Sequence, residues 1–290
     1  MTTHELALEQ HNLHGHFCRD FDAVLSVDPG DSVRIEVPNA GWRVGADEPV
    51  SWDPPEGAGH ALAGPIEVRG ARSGQTLAVR IDEVEPGSWG VTLTEEPHFL
   101  RWELADGIGR ANGFAVELRP FLGVLGMPPA EPGVHPTAPP RRCGGNIDCK
   151  ELVAGTTLFL PIPVDGALFS AGDPHAAQGD GEVSGTAIEC PARAQLTLDL
   201  RGDLPIEWPI ARTADSWLTF GFDEHLGRAA RIAVDGMLDL MEREHELARD
   251  DALALASVAV DLRVTQVVNG TLGVHAVLRD DAIEFGQNPA

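Results

Sequence analysis

The chain has no tyrosine and a single lysine, Lys150, among its 290 residues. The first absence removes phenol-based acid–base catalysis. The second leaves one candidate for any chemistry that needs an amine. Cysteine is scarce as well: Cys18, Cys143, Cys149 and Cys190 form no C-x-x-C pair, so zinc-ribbon and thioredoxin-type sites lack support, and each reads as an inert reduced thiol. No apolar run reaches the roughly 18 residues that a membrane span needs. The N-terminus, MTTHELALEQHNLHGH, lacks a basic region followed by an apolar stretch, which gives a cytoplasmic address by default. Positive charge is in deficit, with a formal net charge of −24. That disfavours nucleic acid and anionic membranes as partners, because both recruit basic surface.

Catalytic signatures are missing too. There is no G-x-S-x-G elbow, no H-E-x-x-H pair and no P-loop. A Glu-Lys-Cys set would have to use Lys150, directly after Cys149, and nothing around it supports that.

What is present reads as mainly β, sandwich- or barrel-like, with a helical region near the C-terminus, α+β overall. AVLSVDPGDSVRIEVPNA gives two alternating runs around the turn Asp28-Pro29-Gly30-Asp31. GPIEVRGARSGQTLAVRI repeats that design, with strands at 66–68 and 76–84, and both units follow the grammar of a hairpin. Residues 126–140 are rich in proline, which pushes the preceding residues towards extended geometry. They mark the candidate boundary between a β-rich region, 1–125, and a signature-bearing region, 126–290, which together are expected to form one catalytic unit. Leu226, Ala230, Ala233, Val234, Met237, Leu238 and Met241 recur at helical spacing. A second helix is expected to be capped by Asp250 or Asp251. LRVTQVVNG then reads as a buried strand ended by Asn269-Gly270.

Three clusters carry chemistry. His14 and His16 are two apart, so on a strand both rings share a face, as a divalent metal would need. CGGNIDCKEL places Gly144 and Gly145, where backbone can approach closely, before Asn146 and Asp148. GDPHAAQGDGE gathers Asp173, His175, Gln178, Asp180 and Glu182 in one short stretch flanked by apolar and small residues. Acidic groups anchored on core strands are costly unless they have a cation or a task. Imidazole with carboxylate oxygen suits zinc or another divalent ion, and a carboxylate left free could act as general base on water.

Residues 144–189, GGNIDCKELVAGTTLFLPIPVDGALFSAGDPHAAQGDGEVSGTAIE, closely resemble the central signature of the acetamidase/formamidase family. Weaker likeness extends over about residues 12–280. The resemblance implies a β-rich homo-oligomeric enzyme that hydrolyses a short, neutral, linear amide to ammonia and a carboxylate. Asn146, Asp148, Asp173, His175, Gln178, Asp180, Glu182 and Glu189 fall on the signature. On chemical grounds the expected metal ligands are His175, Asp148, Asp173 and His16, with zinc the first choice and calcium the alternative. Glu182, Asp148 and Asn146 are expected to be catalytic, and Gln178, Gly144 and Gly145 to contact substrate. Two departures from the family pattern, Cys143 and Asn39, bear on acyl preference. Two rival readings stay open: a hydrolase of a different C–N substrate on the same site, and a non-catalytic metal- or ligand-binding β-sandwich.

Overall fold

Strict alternation along the strands sets the architecture. In Thr76–Pro86, Leu77, Val79 and Ile81 enter the main core while Ala78 enters a second one on the opposite face. The same division separates Leu158 and Leu160 from Phe159, Ala211 from Ile210, and Val277 from Ala276 and Leu278. Successive side chains point to opposite faces of a strand, so this sheet is apolar on both faces and has to be covered twice. The computed structural model, which describes residues 1–94 and 98–284, shows how.

The sheet has nine strands, in the order Thr3–Leu6, Asp31–Val37, Ala192–Arg201, Thr76–Pro86, Thr157–Pro161, Ile210–Arg212, Ser216–Asp223, Leu272–Arg279 and Val260–Gln266. Only the first pair runs parallel. One face shares the main core with a six-stranded sheet in the order Gly144–Asn146, Phe121–Gly126, Phe169–His175, Leu62–Val68 and Leu13–His14, to which Leu25–Val27 adds beside Leu62–Val68. The other face is covered by helix α1 (Leu226–His245), whose Ala229, Ala233, Met237, Leu238 and Met241 are buried against it. A four-stranded meander, Trp89–Leu93, Phe99–Ala105, Ile108–Ala111 and Phe114–Glu117, stands beside the sandwich. Within the large sheet Thr76–Pro86, from before the proline-rich segment, lies between Ala192–Arg201 and Thr157–Pro161, from after it.

Three local expectations are corrected. The two hairpin-like units are not hairpins. Leu25–Val27 and Leu62–Val68 lie in the six-stranded sheet, whereas Asp31–Val37 and Thr76–Pro86 lie in the nine-stranded one. Each glycine-containing turn carries the chain across the core, and a turn signal alone does not say which sheet the next strand joins. Helix α2 (Arg249–Ala259) starts from Ala248 without a side-chain cap, and Asp250 and Asp251 sit in its first turn, where they complement the helix dipole. Val260–Gln266 is an edge strand with Asp261 and Leu262 exposed rather than a buried one.

His14 belongs to this packing. It is buried between strands, with Nε2 2.9 Å from Ser170 Oγ, Nδ1 without a partner, and its ring edge-on to Phe17 and Phe21. Burial lowers its pKa to about 4. Between the unfolded value near 6.5 and about 4, the unfolded chain accepts a proton that the folded chain refuses, so stability is lost as pH falls through this window. Replacing His14 with Gln is expected to flatten the dependence of stability on pH between 6.5 and 4 by up to about 3 kcal/mol. Denaturant melts at a series of pH values measure it, and an unchanged pH slope would show that His14 titrates freely.

Candidate active site

Two neighbouring strands of the six-stranded sheet, with the loops that follow them, form the floor of the site. In the pairing of Phe121–Gly126 with Phe169–His175, Leu122 pairs with Pro174 and Val124 with Gly172, which sets Gly123 opposite Asp173. The Gly123 carbonyl accepts the amides of Ile147 and Asp148 at 2.9 and 3.3 Å, bringing the GGNID segment alongside. A Cβ at Gly123 would lie 2.6 Å from Asp148 Oδ1, 2.7 Å from Asp173 Oδ2 and 2.9 Å from His175 Cε1. The missing side chain is what leaves room for these three groups to converge.

The backbone is bent to present them. Asp148, Asp173, Glu182 and Asn269 have φ of 52°, 56°, 45° and 58°. Non-glycine residues seldom adopt this left-handed region, and strained conformations persist only where the surroundings enforce them.

Around His175 stand four carboxyl groups: Asp173, Glu189, Asp148 and Glu182. His175 Nε2 is 3.4 Å from Asp173 Oδ2 and 3.3 Å from Glu189 Oε1. Asp173, His175 and Glu189 bring ligand atoms within 4.8 Å of one another, and so do Asp148, His175 and Glu182. His175, Asp148 and Asp173 are 1–2 % exposed. Asp148 Oδ1, Asp173 Oδ1, Glu189 Oε2 and Asn146 Oδ1 are buried without any partner. Buried polar atoms nearly always have one, so four bare acceptors in one place form a cradle for something positive.

The titration behaviour has the same origin. Burial, reinforced by Asp148, pushes Glu182 up to about 10. Burial pushes Asp148 up to about 7 against the pull of His175, and Glu189 moves up for the same reason. Asp173 moves down: burial opposes its charge, but His175 and His60 outweigh it. His175 moves up, since Glu189 and Asp173 overcome its desolvation.

Gln178 sets the histidine tautomer. Its Nε2 donates to the Asp148 carbonyl at 2.7 Å, and a carbonyl can only accept. Its Oε1 must therefore face His175 Nδ1, 3.0 Å away, so Nδ1 carries the proton. In the neutral ring Nε2 is then a lone pair turned towards the carboxylates, the arrangement of a metal-ligating histidine with its outer support. These residues fit a divalent cation, with three to four carboxylate oxygens, one imidazole nitrogen and a vacant Cβ position beside them.

Above the floor opens a cavity of about 430 Å³. Asn146, Asp173, His175, Glu182 and Glu189 line its base, and Trp89, Val91, Leu93 and Phe99 from the meander line one wall. Glu189 is tied to that wall by two backbone hydrogen bonds with Val91, both 2.9 Å. Arg101 stands in the lining with its charge held by Asp47 in a two-pronged pair at 2.8 and 3.0 Å.

Not every expected residue reaches the cavity. Gly144 and Gly145 lie beside Leu125 and Gly126, where a Cβ at Gly144 would lie 2.2 Å from the Leu125 carbonyl; they permit strand contact and do not line the cavity. Gln178 lies behind the imidazole, both ends of its amide engaged. Asp180 pairs with Lys150 at 3.0 Å. His16 belongs to neither set of converging ligand atoms that includes His175; its Nε2 donates to the Gly57 carbonyl at 2.8 Å. All four cysteines are free and buried, and none lines the cavity. Asn39 does line it, its Oδ1 accepting the Arg43 amide at 2.9 Å.

The structure adds three residues. Asn269 donates to Asp148 Oδ2 at 2.8 Å, His60 lines the cavity with Nδ1 2.8 Å from Thr137 Oγ1, and Gly123 makes the room. The Asn-Gly turn at 269–270 was visible as punctuation, but neither it nor a lone histidine or glycine in a strand signals a site by itself.

The acetamidase/formamidase family model matches residues 2–119 and 128–274. The chain belongs to that family. A protein from Schizosaccharomyces pombe provisionally named a formamidase is 26% identical over 254 residues, 61% of each chain. An acetamidase from Mycolicibacterium smegmatis is 38% identical over 96 residues, 29% of this chain and 24% of that one. The chain thus spans less than two thirds of these relatives. Over the whole length, the crystal structure of an acetamidase from Bacillus halodurans superposes with a TM-score of 0.86 at 26% identity, covering 95% of this chain and 97% of that one.

A methyl group at position 123 tests the geometry directly. Gly123→Ala is expected to cut turnover by at least about 100-fold through misplacement of the converging groups. The overpacking should cost roughly 1–3 kcal/mol, leaving a folded protein by circular dichroism. Turnover near the wild-type level would show that the convergence at Gly123 is not the working site.

Proposed function

We propose that the chain hydrolyses a neutral carboxamide to ammonia and a carboxylate. The observation that carries this is the set of buried, unpartnered acceptors gathered around His175 at the base of a cavity, in a chain of this family. An amide is a poor electrophile, so its hydrolysis needs polarisation of the carbonyl, an aimed water and a proton for the departing nitrogen.

His175, Asp173, Glu189 and Asp148 would hold a divalent ion, zinc by preference and calcium as the alternative, which would polarise the carbonyl and acidify water. The chain's own groups do the rest. Asn146 Oδ1 takes an N–H of the substrate and fixes its plane. Glu182 and Asp148 bring carboxylate oxygens within 4.8 Å of each other beside His175, and burial raises both, so the pair holds a proton between them; Glu182, lining the cavity, takes a proton from water and returns one to the leaving nitrogen. Asn269 holds Asp148 in place, and Gln178 keeps the His175 proton on Nδ1. The acidic protein does not repel a neutral substrate, and it favours escape of the carboxylate product.

A second reading concerns the size of the acyl group. A cavity of about 430 Å³ with an apolar wall of Trp89, Val91, Leu93 and Phe99 falls in the range that encloses molecules much larger than a two-carbon amide. The apolar wall favours a substrate with an aliphatic or aromatic acyl part. Assembly into a homo-oligomer belongs to the same proposal.

Ammonia release from a panel of amides, from formamide to aromatic carboxamides, is the test. Release is expected, to stop after chelation and to return with a divalent metal. His175→Ala and Glu182→Gln are each expected to lower kcat by about 10³-fold or more with the fold retained. Release that ignores chelation would remove the metal and keep the amidase. No release from any amide would leave a binding module. In the same panel, kcat/KM is expected to rise with the apolar surface of the acyl group by about 10-fold for each one or two methylenes. A flat series would confine the enzyme to the smallest amides.

A further inference from the structure

Outside the cavity lining, a second group of ligating side chains takes no part in the proposed amide hydrolysis. Cys149, Glu151 and His275 bring one ligand atom each within 4.8 Å of the others. Cys149 Sγ is 3.3 Å from Glu151 Oε2, and His275 Nε2 is 3.5 Å from the same oxygen. Atoms bound tetrahedrally to zinc at about 2.0–2.3 Å lie about 3.3–3.8 Å from one another. Two of the three edges therefore already have nearly the lengths of a coordination shell.

The group is shielded. Cys149 and His275 are 1% and 0% exposed. His275 Nε2 has no hydrogen-bond partner, and its other nitrogen is 2.8 Å from Thr265 Oγ1, an anchor of the kind that orients a ligating imidazole. Glu151 Oε1 accepts from the Arg263 guanidinium at 2.9 Å, while Oε2 faces the thiol and the imidazole. Lys150, between Cys149 and Glu151 in the chain, turns away to Asp180. A network of hydrogen bonds alone leaves a fully buried ring nitrogen unsatisfied; a cation satisfies it together with the thiol and the carboxylate.

We propose that Cys149, Glu151 and His275 form a second site for zinc or a similar thiophilic divalent metal, separate from the groups around His175. Binding forms a sulfur–metal bond as the Cys149 thiol proton leaves to solvent, His275 Nε2 and Glu151 Oε2 donate lone pairs, and water fills a fourth position. Without a cation, burial keeps the thiol protonated, well above its ordinary pKa. The bound ion would tie the loop after Asp148 to strand Leu272–Arg279, and so brace the residue that carries Asn269 and Gln178 on its own atoms.

Cobalt substitution tests this without measuring activity. The purified chain is stripped of metal, loaded with Co²⁺ and read by absorption. A thiolate ligand gives an intense sulfur-to-cobalt charge-transfer band in the near ultraviolet, which a site of imidazole and carboxylates does not. The band is expected in the wild type and in His175→Ala. It is expected to vanish in Cys149→Ser and weaken in His275→Gln, each with loss of about one equivalent of bound cobalt. Should Cys149→Ser fail to fold, His275→Gln and Glu151→Gln carry the comparison. No band in the cobalt-treated wild type, or a band that survives in both Cys149→Ser and His275→Gln, overturns the proposal.

Discussion

The structure around the cavity depends on one costly arrangement: four carboxyl groups held about a single imidazole and away from water. Desolvating one ionised carboxylate costs several kcal/mol even after relaxation, and here Asp148, Asp173 and Glu189 are all within 5% of complete burial. His175 can neutralise one charge. The rest must carry protons or meet a cation. That requirement accounts for the upward displacement of Glu182, Asp148 and Glu189 and the downward displacement of Asp173. It also accounts for the bare oxygens, since an acceptor awaiting a proton or an ion has no use for a permanent donor.

A group of like charges does not assemble unaided. The two-sheet core supplies the force: strands Phe121–Gly126 and Phe169–His175 are buried along their entire length, so their apolar side chains fix the register, and the register fixes Gly123 opposite Asp173. Left-handed backbone at four site residues then turns the side chains towards one point. Each such conformation costs about 1–3 kcal/mol, a local penalty that the surrounding packing offsets. The meander contributes the apolar wall, and the backbone bridge between Val91 and Glu189 joins that wall to the carboxyl groups around His175.

Much of this was legible in the sequence, for identifiable reasons. The mainly β architecture followed from alternation, which depends only on the local pleat. The long helix followed from apolar spacing over several turns. His175, Asp173 and Glu182 stood out because charged residues bounded by apolar flanks are anomalous, and anomalies need no knowledge of distant neighbours; Asp148 stood out only through the Gly-Gly-Asn-x-Asp segment and the family signature. What stayed hidden was whatever depends on an atom being absent or on a partner far along the chain. Gly123 is one glycine in an apolar strand, and its role exists only because Asp148, Asp173 and His175 arrive from elsewhere. Asn269 reads as the end of a strand, and 121 residues separate it from the Asp148 it supports. The glycine-containing turns at 28–31 and 70–74 looked like hairpins because a turn that stays in a sheet and a turn that crosses the core use the same residues.

Gln178 shows how the constraints interlock. Within the GDPHAAQGDGE stretch it looked like one more polar group facing substrate. Its amide instead reads two atoms at once, a carbonyl of Asp148 and a nitrogen of His175. The carbonyl dictates which way the amide points, the amide dictates where the imidazole proton sits, and the proton dictates which nitrogen faces the carboxylates. The chemistry available at Nε2 is therefore decided at Asp148, by a backbone atom of the residue whose side chain shares the same cradle. A perturbation of that loop changes both the charge in the site and the tautomer that answers it, which is why the segment from Gly144 to Glu151 and the segment from Asp173 to Glu182 function as one unit although neither contains a complete site.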